Sequence, residues 1–168
     1  MTSYVALLRA VNVGGTGKLS MGALSDLCVG LGFEDVRTYI QSGNVIFENN
    51  LTENEIRKNF EEALMGKLGI KTEVIIRTAM ELEAVLNANP FPTAKASQVG
   101  VFFQSTPIID RHLFDNSPTK EEVRIGRREA YIHFPMGMGV SKLKFPAKTG
   151  TMRNMNTVSK LVSMSRRS

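Results

Sequence analysis

Val36-Arg37-Thr38-Tyr39-Ile40-Gln41-Ser42-Gly43-Asn44-Val45-Ile46-Phe47 reads as two short strands turned at Ser42-Gly43. Val36 to Ile40 and Asn44 to Phe47 favour extended backbone, and a Ser-Gly pair between such runs signals a hairpin. What flanks the hairpin decides the fold. Upstream, Tyr4 to Val11 is a β-rich run, and Met21, Leu24, Leu27, Cys28 and Leu31 recur at helical spacing, with Gly32 suited to the helix C-terminus. Downstream, Thr52 with Glu55 three residues on forms a capping box. The helix it starts carries the apolar stripe Ile56, Phe60, Ala63, Leu64 and Leu68. Lys71 to Arg77 then closes the unit as a strand with Val74 and Ile76 alternating. The order β-α-β-β-α-β is the split-βαβ, ferredoxin-like pattern. The expectation is an α+β chain with a ferredoxin-like subdomain over residues 1–78.

The first strand adds a constraint. Val5 and Leu7 lie on one face and Ala6 and Leu8 on the other, so both faces are expected to be covered. Helices cover only one face of a ferredoxin-like sheet, which leaves the second to the rest of the chain or to a dimer contact. Residues 79–168 are expected to form a smaller α+β subdomain ending in a helix. A helix from about Ala79 to Asn87 precedes Asn89-Pro90-Phe91-Pro92, the best linker candidate. Val99 to Phe103 reads as a strand, Glu122 to Gly126 and Ala130 to Phe134 as a hairpin, and a final helix is expected from about Arg153 to Met164. This half only partly echoes the first, too weakly to read as a repeat.

Charge is unevenly placed. The last acidic residue is Glu129, and Ala130 to Ser168 carries seven Lys or Arg with no carboxylate. The preceding 129 residues carry 14 basic against 16 acidic residues, so the net +5 is a C-terminal surplus. Such asymmetry concentrates positive potential and points to an anionic partner. On the last helix Met155, Val158, Leu161 and Val162 fall on one side, with Arg153, Asn156, Thr157 and Lys160 on the other. The apolar side is expected to pack and the polar side to face outward or into a cleft, where Arg beside Asn suits a phosphate-like ligand.

Several chemistries find no pattern here. Two His, one Cys and no Cys-x-x-Cys leave no ligand set for a protein-only zinc site, and no cofactor motif is present. Lone Cys28 fits a reducing, cytoplasmic setting and a helix core position. No run approaches the ~18 apolar residues of a membrane span. Gly14-Gly15-Thr16-Gly17-Lys18 fails as a phosphate loop of the Walker type, because Asn12 and Leu19 stand where Gly and Ser or Thr are required. Its backbone amides remain generic anion donors, against a simple reading as a tight connection. Arg9 interrupts an apolar strand beside Asn12, as half of a buried ion pair or as part of a site. His133 alternates away from Ile132 and Phe134 and has no identified partner as a general base.

Three segments resemble one family. Leu7-Leu8-Arg9-Ala10-Val11-Asn12-Val13-Gly14-Gly15 resembles an LLRGINVGG motif, and Thr38-Tyr39-Ile40-Gln41-Ser42-Gly43-Asn44-Val45 matches TYIQSGNV. Ser141-Lys142-Leu143 and Arg153-Asn154-Met155-Asn156-Thr157-Val158-Ser159-Lys160-Leu161 look like SKL and RNWNTVTKL. By these the chain resembles, over nearly its whole length, the bacterial domain of unknown function 1697. That resemblance implies an α+β fold with a ferredoxin-like N-terminal part, and brings no activity, cofactor or substrate. It marks Arg9, Asn12, Gln41, Ser42, Asn44, Lys142, Arg153, Asn154, Asn156 and Lys160, to which Gly14 and Gly15 are added as amide donors. They come from both halves, so the expectation is a basic cleft between the subdomains. Met155 stands at the family's Trp and is expected to pack.

Three functions stay open at this point. The first is a module binding nucleic acid or a nucleotide-like phosphate, with Tyr4 and Tyr39 as candidates for base stacking. The second is an enzyme on a small anionic substrate, with Arg9, Lys142 and Arg153 as clamps and His133 or Tyr131 as proton carrier. The third is a protein-interaction module, marked by an exposed apolar patch.

Overall fold

The computed structural model describes residues 1–9, 19–39, 43–108, 121–137 and 150–166. Among these the architecture is mixed α/β, with two four-stranded antiparallel sheets and four helices. The chain divides into two units: Met1–Leu82 together with Leu161–Ser168, and Glu83–Lys160. The division falls inside a helix near residue 82.

In the first unit the elements run β1 (Thr2–Leu8), α1 (Met21–Gly30), β2 (Glu34–Tyr39), β3 (Asn44–Asn49), α2 (Glu53–Leu68) and β4 (Val74–Thr78). The sheet order is β2-β3-β1-β4, and every neighbouring pair is antiparallel. Local chemistry sets the boundaries. Ser20 accepts the backbone N–H of Ala23 to start α1, and left-handed Gly32 (φ +83°) follows that helix. Thr52 and Glu55 make the expected reciprocal capping box, and left-handed Gly69 ends α2. Glu61 on α2 accepts the backbone N–H of Val74 at 2.9 Å and fixes the start of β4.

One face of this sheet packs on α1 and α2 through Tyr4, Ala6, Leu8, Val45, Phe47, Val74 and Ile76. Phe33 stacks on Phe47 at 4.1 Å and meets Phe60 edge-on at 5.7 Å. Cys28 lies in this core as a small hydrophobe, and burial pushes its thiol up to about 12. The other face is buried too. Val5, Leu7, Ile46 and Ile75 are all inaccessible within the single chain, so covering β1 on both sides requires no second copy.

The second unit holds most of α3 (Ala79–Asn87), a 3₁₀ turn (Ala96–Gln98), β5 (Val99–Phe103), β6 (Glu122–Ile125), β7 (Glu129–His133), β8 (Thr151–Asn154) and the start of α4 (Met155–Ser165). Its order β6-β7-β5-β8 repeats that of the first sheet, strand for strand, which the weak sequence echo conceals. Phe102, Ala130, Ile132 and Phe134 form its core on one face. β5 and the β6–β7 hairpin lie where the sequence places them. β8 does not: Thr151-Met152-Arg153-Asn154 pairs with β5, so the last helix begins at Met155.

Candidate functional site

Leu8 and Arg9 end the first strand, and the backbone around them ties three neighbours together. Leu8 N–H donates to the Gly43 carbonyl at 2.9 Å, and Arg9 N–H donates to the Glu73 carbonyl at 3.0 Å. The Thr72 hydroxyl donates to the Arg9 carbonyl. The two N-terminal motifs therefore meet at one end of the first sheet, through Arg9 on one side and Gly43 and Asn44 on the other. Gly43 is required there: its φ is +75°, and an added Cβ would stand 3.0 Å from Leu8 Cβ. Asn44 is fully buried and its amide donates to the Tyr39 carbonyl at 3.1 Å, closing the hairpin ends. The side chain serves the turn, because a buried amide is stable only when hydrogen-bonded. Arg9 is half-buried. Asn12, Gly14, Gly15, Gln41, Ser42 and Lys142 lie outside the described residues.

The C-terminal motif is arranged differently from the sequence expectation. Arg153 belongs to β8, not to a helix face, and only 6% of it is exposed. Its guanidinium donates to Thr151 Oγ1 at 2.8 Å and to the Met152 carbonyl at 2.9 Å. Desolvation lowers it to about 10. Asn154, next along, caps α4 by accepting the Thr157 N–H at 2.9 Å. Thr157 is buried rather than outward-facing. Met155, Val158, Leu161 and Val162 form the buried side of α4 as expected, and Met155 packs at the family's Trp position. Asn156 and Lys160, one turn apart, are exposed, as are Ser159 and Ser163.

The aromatic and proton-transfer candidates change roles. Tyr4 is in the helix-side core, stacked 5.8 Å from Phe47, and its hydroxyl donates to the Leu51 carbonyl at 2.7 Å, which removes it as a base-stacking platform. Tyr131 donates to the Val85 carbonyl at 2.8 Å, and burial together with the charge of Glu129 pushes its phenol up to about 12. A phenol so held is a poor proton carrier near neutrality. His133 is half-buried beside Phe91, 5.5 Å between ring centroids, rather than exposed.

One buried cation has no place in the sequence reading. Arg77 on β4 is 1% exposed, the largest fully buried side chain among the described residues, and donates to the Ile76 carbonyl at 3.0 Å. The available signal was a charge inside Val74-Ile75-Ile76-Arg77, a strand otherwise apolar on both faces. No group of His, Cys, Asp or Glu among the described residues is placed to hold a metal ion. No described helix is long and apolar enough to cross a membrane.

Comparison with known proteins places this geometry. Among solved structures the chain is similar to conserved bacterial protein SP0830 from Streptococcus pneumoniae, at 21% identity and a TM-score of 0.75, over 98% of this chain and 99% of that one. That likeness carries the fold. No curated protein matches. The family model described as protein of unknown function (DUF1697) matches residues 1–131, which takes in both N-terminal motifs and stops short of the segment around Arg153. The matched residues contain the whole first sheet and the end where the two motifs meet, and the chain belongs to the DUF1697 family.

Proposed function

We propose that this chain binds an anionic ligand bearing phosphate, a nucleic acid or a nucleotide, and does not act on it through a side-chain acid or base. The observation that carries this reading is the run from Ala130 to Ser168, which holds seven Lys or Arg and no Asp or Glu of its own. Lys160 and Asn156 lie one turn apart on the exposed side of α4, a spacing that lets both reach one phosphate. Arg9 is assigned to the ligand as well, with the loop amides of Gly14 and Gly15 and the side chains of Asn12, Gln41, Ser42 and Lys142. Asn44, Asn154 and Arg153 act in support, since each is tied to neighbouring backbone. Contact through phosphate rather than through bases fits the burial of Tyr4 and of the second sheet face. The catalytic alternative loses its best proton carrier in Tyr131.

A ferredoxin-like assignment of the first unit belongs with this reading, supported by the order β2-β3-β1-β4 with all neighbours antiparallel. So does a cytoplasmic location, supported by the single, buried Cys28. The test is fluorescence anisotropy with short labelled RNA and DNA strands and a labelled nucleotide over a salt series. Each phosphate neutralised on a single strand contributes a slope of about −0.7 in log K against log salt. Lys160→Ala together with Asn156→Ala should weaken binding and flatten the slope by about one such step. Absence of binding to strands and nucleotide alike at low salt sinks the reading.

A further inference from the structure

The guanidinium of Arg37 is committed twice. It donates to the carbonyl of Met164, in the last turn of α4, and its other terminal nitrogen lies 3.4 Å from the Asp35 carboxylate. Its Nε is buried without a hydrogen-bond partner, a desolvation cost that the two remaining contacts must offset. The backbone leading to it is unusual. Asp35 is the one non-glycine residue with positive φ among the described residues, at +48°, and the register of β2 on β3 shifts between Glu34 and Arg37. Together these features turn Arg37 out of an edge strand and aim it at a helix end. Arg37 shares a cross-strand row with Ile46, so α4's last turn lies over the second face of the first sheet at its β2 edge. The last turn of α4 holds no cation of its own, and the charge of Arg37 on the Met164 carbonyl complements the C-terminal dipole there.

We infer that the last turn of α4 is a strap over the second face of the first sheet, latched by Arg37 and releasable without unfolding either sheet. Residues 161–166 pack through the buried Leu161, Val162 and Ser165, and Arg37 adds a charged bond to their last turn. Short segments open locally below the global unfolding free energy. The latch sets how often this one opens. Asp35 is a positioning residue: its carboxylate fixes the fork of Arg37, and its left-handed backbone lets the strand bulge toward the helix.

Hydrogen exchange on the full chain, read by mass spectrometry, tests this. Arg37→Met keeps the packed stem and removes the fork. It should speed exchange of the amides in residues 161–166 by about tenfold or more while leaving Thr2–Leu8 and Asn44–Asn49 unchanged. Arg37→Lys should fall between the two, because an ammonium can hold the carbonyl or the carboxylate but not both in fork geometry. Unchanged exchange at the C-terminus overturns the inference, and so does a uniform rise through β1 and β3. Should Arg37→Met not fold, Asp35→Asn takes its place, with a rise of a few-fold confined to the same residues, and no rise there is equally fatal.

Discussion

Across the second face of the first sheet the row Arg37–Ile46–Val5–Arg77 runs from edge to edge. Across the second sheet the row Arg124–Tyr131–Val101–Arg153 occupies the same four strand positions. Arg77 and Arg153 correspond closely. Each is the penultimate residue of its edge strand, each is buried, and each donates to the carbonyl of the residue before it. Each is followed by a residue, Thr78 or Asn154, that accepts a backbone N–H and opens a helix. An edge strand leaves alternate carbonyls without a ladder partner on its open side. A guanidinium folded back on the preceding carbonyl gives it a charged donor. At the opposite edge the correspondence breaks. Arg37 is mostly buried and holds α4, whereas Arg124 is exposed, paired with Glu122 at 3.2 Å and lying over the Phe91 ring. The edge leading into a helix demands the cation; the other edge is free to use it for a local purpose.

The largest effect expected from a single substitution separates the two sheets at their edges. β8 enters past Gly150, whose φ is +79° and whose added Cβ would stand 2.3 Å from the Phe102 ring and 2.6 Å from the Phe103 carbonyl. Gly150→Ala therefore incurs both a left-handed backbone penalty and a clash with backbone, together about 3 kcal/mol or more. Gly43→Ala carries the same left-handed penalty but a looser contact, 3.0 Å from Leu8 Cβ, and should cost about half as much. Urea unfolding of both variants reads the difference. Equal losses would mean that β8 can shift and that its glycine is not the constraint.

The second test strikes at the correspondence itself. Arg77→Met and Arg153→Met keep much of the volume and remove the charged bond to a carbonyl. Each should lose about 2 kcal/mol, the worth of a hydrogen bond from a charged group, and the two losses should agree. A large loss in one and none in the other would reduce the match between the sheets to strand order alone.

How far the chain could be read without coordinates follows the same line. Val99 to Phe103 and the capped helix from Thr52 were legible because a five-residue apolar run and a capping box are local signals. Thr151-Met152-Arg153-Asn154 was not, since four residues of mixed polarity carry neither period. Continuing the helix back through them put Arg153 on an outer face when it is a buried strand residue. The repeated order of strands was hidden for the same reason, because β8 is the member that completes it. For the site, the sequence could list polar motif residues but not which of them the fold consumes. Asn44 and Asn154 look equal to Asn156 in sequence, yet the first two bond backbone and the third is exposed.

A smaller effect comes from the two tyrosines that tie distant carbonyls, Tyr131 to Val85 and Tyr4 to Leu51. Tyr131→Phe and Tyr4→Phe should each lose about 1 kcal/mol, because a buried or half-buried carbonyl is left unpaired. Burial raises both phenols in the folded chain. The folded state raises the Tyr131 phenol from 10 to about 12. The folded chain therefore holds a proton that the unfolded chain releases between those values. The stability linked to that proton is fully present below pH 10 and lost as pH climbs toward 12. Tyr131→Phe should make the stability-pH curve flatter over this window, and an unchanged slope would remove burial as the cause of the shift.

The smallest structural effect is expected where the largest functional one lies. Lys160 stands exposed on α4, one turn from Asn156, with no carboxylate anywhere between Ala130 and the end of the chain. An exposed lysine contributes little to holding a helix, so Lys160→Ala should leave the unfolding midpoint unchanged. Arg153, earlier in the chain on β8 and buried, is the contrasting case. Its replacement disturbs a strand, so any loss of ligand after Arg153→Met arrives together with a loss of stability. Binding measured beside unfolding for the two variants separates contact from support. A lysine that weakens phosphate binding at constant stability is a contact. If Lys160→Ala binds as well as the parent chain, the exposed side of α4 is an ordinary solvated face and the cations that meet the ligand lie elsewhere in the acid-free run.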